Sequence, residues 1–337
     1  MKKIINDPKN IVDEMAAGLT LAYPQYAARV PLTEKGQAII ARAVKKTGKV
    51  ALVSGGGSGH EPSHAGYVGE GLLDAAVCGA VFTSPTPDTV FEAIKAVKTE
   101  KGVLLIIKNY TGDVMNFEMA MELAEAEGIK TAKVIVNDDV AVMNSTYTVG
   151  RRGIAGTVFV HKIAGAAAEA GLDLEAVQKI GERVVANVRS MGVALSPCVV
   201  PEAGKPGFVL AEDELEIGLG IHGEPGVARG KIQSADALVE HVMEKILADN
   251  PLKSGDEAAL LVNGLGGTPL MELFLINRKA HELLGKKGIK VHSTNVGNFM
   301  TAIEMAGFSL SVLKLDAELK KYLDAKADTP AYRIFGR

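Results

Sequence analysis

Apolar positions along this chain fall into short unbroken runs separated by glycine-rich or polar turns, with stretches of helical period between them. Residues 50–53, 103–107 and 132–136 are continuous apolar runs, the pattern of strands covered on both faces. Asp7 and Pro8 supply a helix start, and Ile11, Met15, Leu19 and Leu21 continue it as an amphipathic helix. A second helix is expected from a cap at Thr33 to about Lys46. Residues 117–127 read as a helix ending at Gly128, and 155–170 and 174–190 as two helices joined at Gly171. In the second half, residues 193–200, 215–220, 258–262, 289–293 and 310–315 read as strands and 269–285 as a long helix. The alternation of strand, loop and helix predicts an α/β fold. Two domains are expected, 1–190 and 191–337, each a mainly parallel or mixed sheet flanked by helices. In such sheets ligands gather beyond the carboxyl ends of the strands. Three loops leave such ends: the glycine run after residue 53, Asn109–Asp113 and Asn137–Asp139.

The first of these loops carries the strongest chemical signal. Ser54-Gly55-Gly56-Gly57-Ser58-Gly59-His60-Glu61-Pro62 has four glycines in five positions, which lets the backbone approach a small ligand closely. It lacks the Gly-Lys-Ser/Thr ending of a phosphate-binding P-loop, and His60 stands where a dinucleotide fingerprint needs its third glycine. His60 instead presents a titratable ring to whatever the loop holds.

Composition narrows the partner. At 337 residues the chain exceeds the usual single core. The hydrophobic share of 47% and charged share of 23% are those of a soluble globular protein. A net charge of −3 supplies no basic field for nucleic acid or an anionic membrane. No apolar stretch reaches the roughly 18 residues of a membrane span, and the first residues lack the apolar core of a signal peptide. Cys78 and Cys198 form no CxxC pair and read as buried free thiols, so a cytoplasmic location is expected.

A second unusual site is Gly218-Leu219-Gly220-Ile221-His222-Gly223-Glu224-Pro225-Gly226. Flanking glycines leave the His222 ring accessible, and Glu224 stands two residues away to orient a ring nitrogen. Asp113 ends a Tyr-Thr-Gly-Asp turn after a strand; it fits a helix N-cap for a segment beginning near Val114 as well as a general base. Lys108 fits a solvated lysine at a strand end as well as a ligand-binding group. His64, His161, His241, His281 and His292 read as surface or helix histidines, and their spacing matches no metal template. The polar loop 83–88 and the second glycine loop 263–269 fit turn chemistry.

Taken in order, SGGGSGHEP (54–62), FTSPTPD (82–88), IKNYTGD (107–113), DDVAV (138–142), GRRG (150–153) and GIHGEPG (220–226) closely resemble the K subunit or K domain of dihydroxyacetone kinases. The resemblance runs from Ile4 to Ala331 without departure at the six motifs. It implies that His222 adds to the ketone of dihydroxyacetone to give a covalent hemiaminal, with His60 and Asp113 as acid/base or hydrogen-bond partners. It implies substrate-binding roles for Gly57, Ser58, Gly59 and Lys108. A neutral imidazole can attack a small ketone, a second imidazole can supply a proton to the developing alkoxide, and polyols without a carbonyl are rejected.

Phosphoryl transfer normally uses metal ions to neutralise charge, and no nucleotide–magnesium motif is legible. The resemblance therefore implies no cofactor on this chain and a separate L subunit carrying the nucleotide with magnesium. That nucleotide is bound ADP recharged by a multiphosphoryl M subunit of the phosphotransferase system, or ATP. A homodimer is implied likewise. Two alternatives remain: a catalytically silent dihydroxyacetone-sensing transcriptional co-activator, against which the retention of His60, Asp113 and His222 counts, and a kinase subunit for a related ketose such as erythrulose, whose motifs around the bound carbonyl would be similar.

Overall fold

The computed structural model describes residues 2–143, 150–250 and 252–335. Its first sheet contains β1 (Ala27–Val30), β2 (Ala38–Arg42), β3 (Ala51–Ser58), β4 (Ala75–Val81), β5 (Val103–Lys108) and β6 (Thr131–Val136), in the spatial order β1-β2-β4-β3-β5-β6. Strands β4, β3, β5 and β6 are mutually parallel, while β1 and β2 are antiparallel additions. Helices α1 (Ile11–Ala22), α2 (Pro87–Val97), α3 (Thr111–Ala126), α4 (Thr157–Glu169) and α5 (Leu174–Asn187) belong to the same half of the sequence. The second sheet contains β7 (Val188–Ala194), β8 (Glu214–Ile217), β9 (Ala228–Lys231), β10 (Glu257–Gly264), β11 (Lys290–Gly297) and β12 (Gly307–Leu315), ordered β11-β10-β12-β7-β8-β9. Only β10 and β11 are parallel there. Helices α6 (Ala235–Asp249), α7 (Leu270–Lys286) and α8 (Ala317–Asp324) belong to the second half, and a two-stranded sheet of β13 (Ala327–Asp328) and β14 (Arg333–Ile334) follows α8.

The strand period of two distributes side chains between layers. On β5, Val103, Leu105 and Ile107 meet α2 and α3, while Leu104 and Ile106 face a cluster containing Val158, Ile163 and Val177 of α4 and α5. That same cluster takes in Ala259, Leu261 and Leu313 from the second sheet. On the far face of that sheet Leu260, Val262, Leu310 and Val312 pack with Val239 and Val242 of α6 and Leu273 and Ile276 of α7. Helix α4 is buried nearly all round, consistent with its place between two sheets. The chain after α8 returns to the first half, where Asp328 bridges to Glu70 through backbone hydrogen bonds.

Several expectations are corrected. The segment expected as a helix from Thr33 to Lys46 is strand β2, because Ile39 and Ile40 are buried in different clusters on its two faces and its backbone pairs with Ala75–Cys78. Such pairing overrides a weak helical pattern. Gly55, Gly56 and Gly57 are not loop residues but lie inside β3, which is buried along its whole length. A side chain on Gly55 would clash with Val77 of β4, its Cβ 2.4 Å from that carbonyl oxygen. The expected helix 174–190 stops at Asn187, and Val188 already belongs to β7. Strands β1, β4 and β9 and helices α2 and α6 lie outside the expected elements. Helix α2 follows directly from the polar loop 83–88, with Thr86 accepting from the Thr89 N–H and Pro87 in its first turn.

Candidate active site

Two strand ends of the first sheet, β3 and β5, converge where sequence patterning places them. Strand β3 delivers Gly57 and then His60; β5 ends at Lys108; the first turn of α3 holds Asp113. The segment after β8 brings His222 against them from the other half of the chain. Together Gly57, Phe82, Ser84, Tyr110, Asp113 and His222 line a cleft of about 510 Å³. A larger surface groove of about 850 Å³ beside Glu118, Glu125 and Lys130 gathers no comparable set of groups.

His60 is fully buried, stacked on Phe82 with centroids 5.0 Å apart. Its Nδ1 lies 2.7 Å from the Thr301 carbonyl and its Nε2 lies 3.0 Å from His222 Nε2. A carbonyl only accepts, so the network assigns the proton of His60 to Nδ1 and leaves a lone pair on Nε2. Burial, then the charges of His222 and Lys108, push the His60 pKa well below the ordinary histidine value, which keeps the ring neutral.

His222 is held on its other side by Glu224. The carboxylate Oε1 is 3.0 Å from His222 Nδ1, and Oε2 accepts the His222 backbone N–H at 2.9 Å. Burial pushes the Glu224 carboxyl up, but the charge and hydrogen bond of His222 and the Arg152 guanidinium together hold it down to about 2. The ionised carboxylate assigns a proton to His222 Nδ1. With the lone pair of His60 facing it, His222 Nε2 is the side of this contact that can donate. The His222 ring stands edge-on to Tyr110 with centroids 4.6 Å apart and is the more open of the two imidazoles.

Lys108 is not a solvated lysine: it is wholly buried. Its Nζ lies 3.5 Å from Asp113 Oδ2 and has no hydrogen-bond partner. Asp113 is not the helix cap either. Helix α3 starts at Thr111, and the Asp113 carboxylate, inside the first turn, accepts a hydrogen bond from Ser84 Oγ at 2.5 Å. Glycine at 56 makes room for the ammonium, since a Cβ there would lie 2.6 Å from Lys108 Nζ. Gly57 does the same for the backbone of the Phe82 turn, 2.5 Å from the Thr83 nitrogen. Ser58 and Gly59 are placed differently. The Ser58 hydroxyl donates to Gly79 O at 2.7 Å in the neighbouring strand, and Gly59, with φ of +103°, shapes the bend beneath Phe82.

His161 is on a helix, α4, as expected, but neither it nor His64 is a surface residue. Both are buried, and His64 Nδ1 lies 2.9 Å from His161 Nε2. Burial, with Lys108, drives His161 down to about 3. Phe82, Ser84 and Tyr110 lie within quoted motifs, but sequence patterning gives them no role of their own; Thr301, 241 positions from His60, leaves no local signal. Among the described residues no group of three or more histidine, cysteine or carboxylate side chains is placed to hold a metal ion. Nor is any helix among them long and apolar enough to cross a membrane. Cys78 and Cys198 are free and buried.

The Dak1 domain model matches residues 17–331. Over 324 residues the chain is 56% identical to the dihydroxyacetone-binding subunit of PTS-dependent dihydroxyacetone kinase 1 from Listeria innocua, covering 96% of this chain and 97% of that one. The dihydroxyacetone kinase of C. freundii in complex with AMP-PNP and Mg2+ superposes with a TM-score of 0.91 at 36% identity, over 99% of this chain and 61% of that one. The dihydroxyacetone kinase operon co-activator Dha-DhaQ superposes with a TM-score of 0.89 at 37% identity, over 96% and 99% of the two chains. With the family match spanning both sheets and the cleft between them, the chain belongs to the Dak1 domain family and is a phosphotransferase subunit of the dihydroxyacetone kinase type.

Proposed function

We propose that this subunit binds dihydroxyacetone covalently on His222 and presents one terminal hydroxyl to a phosphoryl donor carried by a partner subunit. The supporting observation is the pair of imidazoles, Nε2 against Nε2 at 3.0 Å, with His60 neutral and His222 backed by an ionised carboxylate. The protons balance. The neutral Nε2 of His60 takes the proton from His222 Nε2, whose freed lone pair attacks the ketone carbon. The carbonyl electron pair moves to oxygen, which receives the proton back from His60. The product is a hemiaminal whose ring is cationic, its Nδ1–H still paired with Glu224. Holding the substrate covalently compensates for its small contact area and turns the second step into an oriented, effectively intramolecular one.

In that second step Asp113 accepts the proton of the terminal hydroxyl as its oxygen attacks the transferred phosphorus, and the donor keeps the electron pair of the broken bond. Lys108 sits beside Asp113 as a fixed positive charge. Reversal of hemiaminal formation releases dihydroxyacetone phosphate. The donor is proposed to be a nucleotide with magnesium on an L subunit, either ADP recharged through a phosphotransferase-system M subunit or ATP. Homodimerisation, a cytoplasmic location and division into two domains near residue 190 belong to the same reading. Substrate-binding roles are proposed for Gly57, Ser58, Gly59 and Lys108.

Dihydroxyacetone isotopically labelled at its carbonyl carbon tests the reading by NMR. The unaltered protein is expected to convert the ketone signal into a tetrahedral one, and His222→Ala to abolish it; an adduct persisting in that variant refutes the assignment. Asp113→Asn is expected to keep the adduct and lose about 10²–10⁴-fold in transfer with the partner subunit, the usual worth of a general base. A co-activator that only senses the ketose would show no transfer in either protein.

A further inference from the structure

Two motifs, Asp138–Val142 and Gly150–Gly153, have no part in the chemistry above, yet the structure joins them to it. Arg152 is fully buried. Its Nε donates to Asp139 Oδ2 at 2.8 Å, and its Nη2 donates to the Gly218 carbonyl at 2.7 Å while lying 2.6 Å from the same Asp139 oxygen. Asp139 is itself fixed, accepting the Ala141 N–H at 2.9 Å. Those bonds account for tying the segment after β6 to the segment after β8. They leave Nη1 over, buried and without a hydrogen-bond partner.

Nη1 lies near the carboxylate behind His222, close enough for its charge to lower the Glu224 pKa but without a hydrogen bond to it. A Cβ on Gly220 would lie 2.7 Å from Arg152 Nη1 and 2.1 Å from Glu224 Oε2, so the two atoms flank the same small space, open only because residue 220 is glycine. The order in space is therefore Asp139, Arg152, Glu224, His222, His60. Burying a guanidinium is costly, and a structural tie alone does not call for a third, unpartnered nitrogen beside the carboxylate that backs His222.

We infer that Arg152, seated by Asp139, is a positioning residue that sets the protonation of His222 through Glu224. Glu224 alone fixes the Nδ1 proton and favours the doubly protonated ring, which cannot attack a ketone. The charge of the guanidinium helps keep Glu224 ionised while opposing a positive charge on the ring, so His222 Nε2 gives up its proton to His60 more readily. The other titratable groups facing His222 are His60 after β3 and Tyr110 and Asp113 at the start of α3, with the charge of Lys108 reaching His60 behind them. None of them is altered in the test.

The inference rests on the covalent reading of His222, and its test separates the two. Adduct formation with carbonyl-labelled dihydroxyacetone is followed by NMR across pH in the unaltered protein and in Arg152→Met. The midpoint of the profile is expected to move to higher pH by on the order of one pH unit, the usual effect of one nearby charge, with about a tenfold loss of rate below the midpoint. Should Arg152→Met not fold, the double variant Asp139→Asn, Arg152→Gln removes both buried charges together and is expected to move the midpoint the same way. An adduct whose rate falls equally at every pH, with the midpoint unmoved, shows Arg152 to be structural only and overturns the inference. Absence of any adduct in the unaltered protein overturns the covalent reading and the inference with it.

Discussion

Lowering the pH from about 6.5 to 5.5 should cost this protein roughly 2 kcal/mol of stability, because three histidines are folded in the neutral state. His60, His64 and His161 are each buried, and burial is the largest cause of their lowered pKa, with Lys108 acting on all three. In the unfolded chain each takes up a proton near its ordinary value of 6.5. In the folded protein His161 waits until about 3, and the other two are also held well below 6.5. Below 6.5 the unfolded state therefore binds more protons, so this stability is present at higher pH and is lost as pH falls toward the folded values. A full proton taken up only by the unfolded chain is worth about 1.4 kcal/mol for each pH unit. The first pH unit below the midpoint, over which uptake is still partial, costs about 1 kcal/mol per histidine, or roughly 3 together. Asp139 works the other way. Burial raises it to about 6 against the pull of Arg152, so the folded protein holds a proton that the unfolded chain has lost, and stability is gained as pH falls through 6. That returns somewhat under about 1 kcal/mol over the same interval. The net loss is a sizeable part of a typical total of about 5–15 kcal/mol. Urea unfolding midpoints across the pH series measure it. His161→Gln keeps an amide to meet His64 and should reduce the pH sensitivity by about 1 kcal/mol. A stability that is flat across this interval, or an unchanged slope in His161→Gln, would refute the assignment of these histidines as buried and neutral.

Two further outcomes follow from the cleft. Gly57→Ala places a methyl group 2.5 Å from the Thr83 nitrogen and 2.7 Å from the Phe82 backbone. It should lose about 1–3 kcal/mol in urea unfolding and weaken adduct formation, because backbone atoms cannot step aside as a flexible side chain can; wild-type values for both would show that the approach is not tight. Lys108→Met keeps the length of the side chain but leaves the buried Asp113 carboxylate with Ser84 as its remaining polar partner among the described residues. Adduct formation should persist while transfer in the presence of the partner subunit falls about 10²-fold or more; undiminished transfer would remove Lys108 from the second step.

Much of the site is legible in the chain because the motifs that carry it lie at or just past strand ends, where an α/β sheet gathers its ligand groups. Gly57, Lys108 and Asp113 need nothing more than that rule to be grouped. Glu224, two residues from His222, is legible as the partner of its ring. The errors arise where local pattern and tertiary pairing disagree. The glycines at 55–57 read as a loop by composition, yet they are strand residues, because Val77 of β4 and the Lys108 ammonium lie where side chains would go. The segment around Ile39 reads as helix, yet two neighbouring strands claim its backbone.

The sequence by itself determined the fold class, the family and which residues carry unusual chemistry, since those follow from local pattern and the order of motifs. Tertiary structure alone decided how those residues act on one another. His60 and His222 are 162 positions apart, and their 3.0 Å contact exists only because the two halves of the chain close on one cleft. The protonation of both rings depends on Thr301 and Glu224, and the burial of Lys108 depends on how tightly β3 runs past β5. Protonation and burial depend on distance and desolvation, and these are properties of the packed molecule rather than of any segment of it.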